Sequence, residues 1–137
     1  MPAFSGLNET EPKQISTIVS VMSILLRPIQ ALRLWQQVNL SEVRGKSPDL
    51  TMRQAAILLT VYLEPPPHTV RGLAARLGVT KPVITRALDT MGALKLVSRH
   101  RDENDKRNVL VKRTVEGALF VERLGDVVIA KAQELTI

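Results

Sequence analysis

Between Arg99 and Arg107 the chain places four cationic and three acidic side chains within nine residues, RHRDENDKR, and then turns apolar over residues 109–111. Arginine keeps its charge at any physiological pH and donates in planar forks, so the chemistry open to this stretch is ionic recognition rather than proton transfer. A solubilising turn is the bland alternative. A second cluster lies just upstream, where Lys81, Thr85 and Arg86 fall among TKPVITRALD, residues 80–89. Catalytic arrangements are missing by contrast. His68 and His100 have no regular spacing of Asp, Glu or Cys around them, which argues against a metal site. There is no Gly-rich phosphate loop, and no acid pair sits in an apolar setting that would fit it for acid–base work. We expect no enzyme and no cofactor.

Charge along the chain sharpens this reading. The net charge is +6, yet residues 69–113 hold eleven cations against four acids, a net of +7, and the remainder nets −1. A basic excess confined to one contiguous third is the footprint expected for a polyanion. The absence of cysteine removes disulfides, thiolate metal sites and thiol redox sensing. No apolar run approaches the roughly 18 to 20 residues needed to cross a bilayer. The start MPAFSGLNETEP lacks the basic head and apolar centre of a secretory signal, so a cytoplasmic protein is expected. With 137 residues, a single domain is the default.

The elements that must position these residues are read from periodicity and caps. Ile15, Ile18, Met22, Leu25, Ile29, Leu32 and Trp35 recur at helical spacing, and Pro28 should kink or divide that helix near Arg27. Residues 38–49, with Gly45 and Pro48, read as a connection. Thr51 and Gln54 form a capping box for a core helix over residues 50–63, carrying Ala55, Ile57, Leu58, Val61 and Tyr62, and the three prolines from Pro65 end it. Thr69 caps a short helix to Leu77, Gly78 supplies a tight turn, and Thr80 caps a second helix with Pro82 in its first turn. Two short helices joined by such a turn form a helix-turn-helix. Ile84, Ala87, Leu88 and Met91 should pack inward, leaving Lys81, Pro82, Val83, Thr85, Arg86 and Asp89 outward or on the rim. That outer face is short, polar and cationic, suited to a major groove. A hairpin follows, with strands expected over residues 96–99 and 107–111, and Thr114 caps a last apolar-faced helix reaching Leu135.

A helix-turn-helix followed by a charged hairpin and a further helix resembles the winged-helix regulators of the MarR family. Asp105, Lys106 and Arg107 with Thr114 and Gly117 are similar to that family's wing signature and the opening of its next helix. Leu73, Leu77, Gly78, Val79, Lys81, Thr85 and Arg86 match its helix-turn-helix run, and Leu96, Val97 and Arg99 its approach to the wing. Departures from the pattern are Lys95 where a glycine is usual, Arg113 where a leucine is usual, and Pro82 and Val83 where polar residues open the recognition helix. The last pair offers base edges only apolar contacts, for instance to thymine methyls.

The resemblance implies a mainly α fold with a small β-hairpin wing: a single domain over residues 1–137, in which a winged helix-turn-helix lobe (50–113) is flanked by dimerisation helices (12–39 and 115–135). It further implies a homodimeric transcription regulator, most simply a repressor, bound to a pseudo-palindromic duplex operator. Thr80, Lys81, Pro82, Val83, Thr85 and Arg86 on the recognition helix are the expected DNA-binding residues, together with Arg99, Arg101, Asp105, Lys106 and Arg107 on the wing. Arg107 would enter a narrow minor groove, with Asp105 orienting it; the alternative is a surface ion pair. Arg86 would meet a base or phosphate, or instead pair with Asp89. A small, often phenolic effector binding beside the dimer helices also follows from the family, although aromatics to line its pocket are few (Phe4, Trp35, Tyr62 and Phe120). A winged-helix protein-interaction module and a sequence-tolerant DNA-coating protein are the rival readings.

Overall fold

The structure, a computed structural model, describes residues 26–135. The apolar series that begins at Ile15 lies outside them as far as Leu25. The chain divides into two compact units, Leu50–Val121 and, among the described residues, 26–49 with 122–135.

In the second of these, Pro28 opens a helix, α1 (Pro28–Arg44), in line with the boundary expected near Arg27. Its ring fixes φ near the helical value, and its missing N–H would have been unpaired at a helix start anyway. Gln30 Oε1 accepts from the Arg27 amide at 2.8 Å and closes that end. The expected connection over residues 38–49 is corrected here, because the helix runs on to Arg44 and so also passes the predicted end at residue 39. Between Val38 and Arg44 there is no Gly or Pro to stop it, Val38 is buried, and the chain leaves the helix only at Gly45. The remaining contribution to this unit is the later part of the final helix, α5 (Val115–Gln133). Arg123 and Glu42 join them as a two-bonded pair, Nη1 to Oε1 at 3.0 Å and Nη2 to Oε2 at 2.9 Å. That carboxylate holds the Arg123 guanidinium above its ordinary pKa.

The larger unit holds α2 (Met52–Leu63), α3 (Val70–Leu77), α4 (Lys81–Ala93), β1 (Val97–Arg101), β2 (Val109–Arg113) and the first turns of α5. The expected capping box is present at α2: the Thr51 hydroxyl accepts from the Gln54 amide at 3.1 Å, and Gln54 Oε1 accepts from the Thr51 amide at 2.9 Å. Thr69 caps α3 through the Gly72 amide at 2.9 Å. Gly78 takes the left-handed conformation the turn demands (φ 69°). Thr80 occupies the cap position of α4, but its hydroxyl makes no cap bond, which corrects the expectation drawn from its residue type. The Thr80 carbonyl instead accepts from the amides of Val83 and Ile84, and Pro82 has no amide to offer a side chain.

The core of this unit is built from Ile57, Leu58 and Val61 of α2, Leu73 of α3, Ile84, Leu88 and Met91 of α4, and Leu96, Val97 and Val111 of the hairpin. All four inward residues expected on α4 are buried. The strands pair antiparallel, Val97 opposite Arg113 and Arg101 opposite Val109, about two residues later than the sequence suggested. Arg99 and Arg101 extend β1 because their partners are Val111 and Val109, so the ladder continues past the apolar residues at the hairpin base. Arg107 is therefore in the turn, not in a strand. A bridge between Thr69 and Leu110, with Val111 donating to the His68 carbonyl at 2.8 Å, ties the far edge of β2 to the segment before α3.

Candidate nucleic-acid interface

The base of the hairpin is fixed by the Tyr62 side chain. Its hydroxyl donates to the Leu96 carbonyl at 2.7 Å and receives the Thr114 amide at 2.9 Å. The Thr114 hydroxyl donates to the Lys95 carbonyl at 2.7 Å and caps α5 through the Gly117 amide at 2.9 Å. A Cβ on Gly117 would collide with the Tyr62 hydroxyl and the Leu96 carbonyl, so only glycine fits there. Lys95 has φ 62°, the left-handed conformation that the family's usual glycine would adopt without strain.

From this base the hairpin reaches toward α3 and α4, and between them lies a cleft of about 250 Å³ lined by Val70, Arg71, Lys81, Thr85, Arg99, Arg107, Asn108 and Val109. Four of the residues expected at the DNA interface, Lys81, Thr85, Arg99 and Arg107, thus share one concavity. Four cations and a hydroxyl around such a space, with no acid in its lining, suit an anion the size of a phosphate. The other expected residues stand outside the cleft lining. Arg86 is exposed on α4, Thr80 and Pro82 are exposed at its start with Val83 half-buried, and Arg101 and Lys106 are exposed on the hairpin. Of the remaining lining residues, Arg71 belongs to the basic stretch and is expected as a non-specific phosphate contact, whereas Asn108 is unexpected, having no charge to mark it.

Two of the four cations carry a carboxylate of their own. Asp105 Oδ1 accepts from both the Arg107 amide at 3.1 Å and Arg107 Nε at 3.2 Å. These bonds, side chain first, hold the Asp105 carboxyl below its ordinary pKa, with Arg71 adding a weaker pull. Arg107 itself stays largely in solvent, its side chain 84% exposed. Asp89 of α4 pairs with Arg99 of β1 at 2.7 Å, so the alternative pairing of Arg86 with Asp89 is not the one formed. That bridge joins the recognition helix to the wing directly. Among the described residues neither Lys81 nor Arg71 has an ion-pair partner, and no group of three His, Cys, Asp or Glu could hold a metal ion. No described helix is long and apolar enough to cross a membrane.

Two short helices joined at a left-handed glycine, followed by a hairpin whose turn stands beside the second, define a winged helix-turn-helix. Residues 49–108, the helix-turn-helix with most of the hairpin, match the family model described as MarR family. That match covers 60 of the 137 residues, and over it the lobe is similar to those of the MarR family. Solved structures agree. A mutant MepR from S. aureus bound to an oligodeoxyribonucleotide shares 20% identity, with 93% of this chain and 86% of that one covered at a TM-score of 0.65. A mutant MarR from E. coli shares 28%, covering 81% and 87% at a TM-score of 0.57. The PcaV transcriptional regulator from Streptomyces coelicolor, in complex with its natural ligand, shares 29%, covering 75% and 72% at a TM-score of 0.57.

Proposed function

We propose that the protein is a dimeric transcriptional regulator that binds a pseudo-palindromic duplex operator, most simply as a repressor. The observation that carries this reading is the cleft, where Arg71 and Lys81 from the helix-turn-helix and Arg99 and Arg107 from the hairpin converge. A backbone phosphate seated there would fix the register of the protein on the duplex. From that register α4 offers Thr85, Arg86, Pro82 and Val83 to the major groove, and the hairpin turn offers Arg107 to the minor groove. The likeness to MepR bound to an oligonucleotide supports this use of the fold. The likeness to PcaV with its natural ligand supports release by a small effector.

Selection of bound fragments from random duplex DNA, followed by a salt titration, tests the proposal. A two-fold symmetric site is expected, bound with a Kd of roughly 10⁻⁸ to 10⁻¹¹ M and weakening steeply with salt. Recovery of fragments with no common sequence would favour a DNA-coating protein. No binding in dilute buffer would end the reading.

A further inference from the structure

In an α-helix each carbonyl accepts from the amide four residues on. At the end of α2 that rule fails three times in succession: the carbonyls of Val61, Tyr62 and Leu63 face positions Pro65, Pro66 and Pro67, none of which has an N–H. Val61 has no exposed surface, so water is a poor substitute there. The missing donor arrives from the hairpin. Arg113, the last residue of β2, donates Nε to the Val61 carbonyl at 2.8 Å and Nη2 to the Glu64 carbonyl at 3.0 Å. Its guanidinium also lies 5.8 Å from the Tyr62 ring centroid. His68 Nε2 contacts the same Glu64 carbonyl at 3.1 Å.

We infer that Arg113 is a positioning residue that sets the angle of the wing, standing in at the Val61 carbonyl for the donor that Pro65 removes, bonding the Glu64 carbonyl as well, and so joining β2 to the end of α2. The Tyr62 hydroxyl holds the hairpin where β1 begins and β2 ends, the His68 carbonyl and Thr69 hold the middle of β2, and the Asp89–Arg99 pair holds β1 to α4. Arg113 ties the last residue of β2 to the carbonyls of Val61 and Glu64 at the end of α2, and so adds to the attachments that set the hairpin's orientation. The turn is far enough away to amplify an error: over a strand arm of roughly 20 Å, a tilt of about 10° moves the tip by about 3 Å. That displacement would carry Arg107 out of bonding range of a phosphate or groove floor. A leucine, the residue the resemblance expects here, has no N–H to give.

The consequence for binding rests on the DNA-binding reading, whereas the wing angle can be measured without DNA. Because the chain has no cysteine, Arg53→Cys and Asn104→Cys supply the only two thiols for spin labels, one on α2 and one in the hairpin turn. Pulsed electron-spin distance measurements should show a clearly broadened distribution in Arg113→Leu. Arg113→Lys, which keeps the charge but cannot bridge both carbonyls, should give an intermediate width. A wild-type width in Arg113→Leu overturns the inference. If that variant does not fold, Arg113→Lys decides, with broadening in support and no change against. On duplex DNA, Arg113→Lys should weaken binding about fivefold alone but less than twofold in an Arg107→Ala background, because both act through the same tip. Fully additive losses would contradict a positioning role. A wild-type protein that ignores duplex DNA would overturn the functional reading and leave the distance distributions to judge this one.

Discussion

Arg107 carries the sharpest test of the interface. Its Nε and backbone amide both bond Asp105, so the side chain is aimed before any partner arrives. Arg107→Ala should weaken operator binding by about 1–3 kcal/mol if it reads the minor groove. A loss confined to the salt slope, about 0.9 per phosphate contact removed, would instead mark it as a phosphate contact. The pH dependence follows from Asp105. Its folded pKa is depressed, so the turn's ordering is fully present above the ordinary carboxylate range and is lost only as pH falls through the lowered value. An NMR titration should therefore find the Asp105 carboxyl charged well into acid, and Arg107→Ala should return it toward the ordinary range. At neutral pH no titration of Asp105 is expected.

At the scale of elements, two substitutions at the hairpin base should move stability in opposite directions. Lys95→Gly relieves a left-handed backbone and should stabilise by about 1 kcal/mol, read as a raised midpoint in urea. Gly117→Ala places a methyl against the Tyr62 hydroxyl and the Leu96 carbonyl; one of the two atoms is backbone and cannot swing aside, so a loss of about 1–3 kcal/mol is expected in the same experiment. The elements legible from sequence were those whose signal is local. Thr51 with Gln54, Thr69 with Gly72, and Gly78 each act within four residues, and the structure shows those contacts. The apolar spacing of Ile84, Ala87, Leu88 and Met91 likewise fixed the inward face of α4. What escaped was set by distant partners. The extension of β1 through Arg99 and Arg101 depends on Val111 and Val109 across the hairpin, and the role of Arg113 depends on carbonyls about fifty residues earlier. The continuation of α1 to Arg44 is hidden for another reason: Gly45 and Pro48 mark where a helix stops and carry no information about the residues before them. At the candidate site the cations were evident from charge density, but their convergence with Arg71 and Asn108 exists only in three dimensions.

For the whole molecule, the proposed dimer has material in the terminal helices. Ile29, Leu32, Trp35 and Val43 on α1 and Ile129 on α5 are each more than half exposed. A soluble protein seldom leaves so many large apolar side chains uncovered along its helices without a second surface to meet them. Sedimentation equilibrium should give a dimer at micromolar concentration, and Leu32→Glu should shift it toward monomer with a matching loss of operator affinity. A wild-type monomer would remove two-fold recognition from the proposal. The net charge of +6 would then draw the protein to any duplex, and here the carboxylate of α4 paired with the wing's Arg99 acquires a wider meaning. Asp89 already occupies Arg99, so a phosphate of an indifferent stretch of DNA would compete there with an acid that is tethered and always present. The protein should consequently skim over most of a chromosome with a loosened hold and linger only where groove shape and base edges add to the phosphate's appeal. Neutralising one tether with Asp89→Asn should tighten attachment to random duplex more than to the operator, trading discrimination for grip.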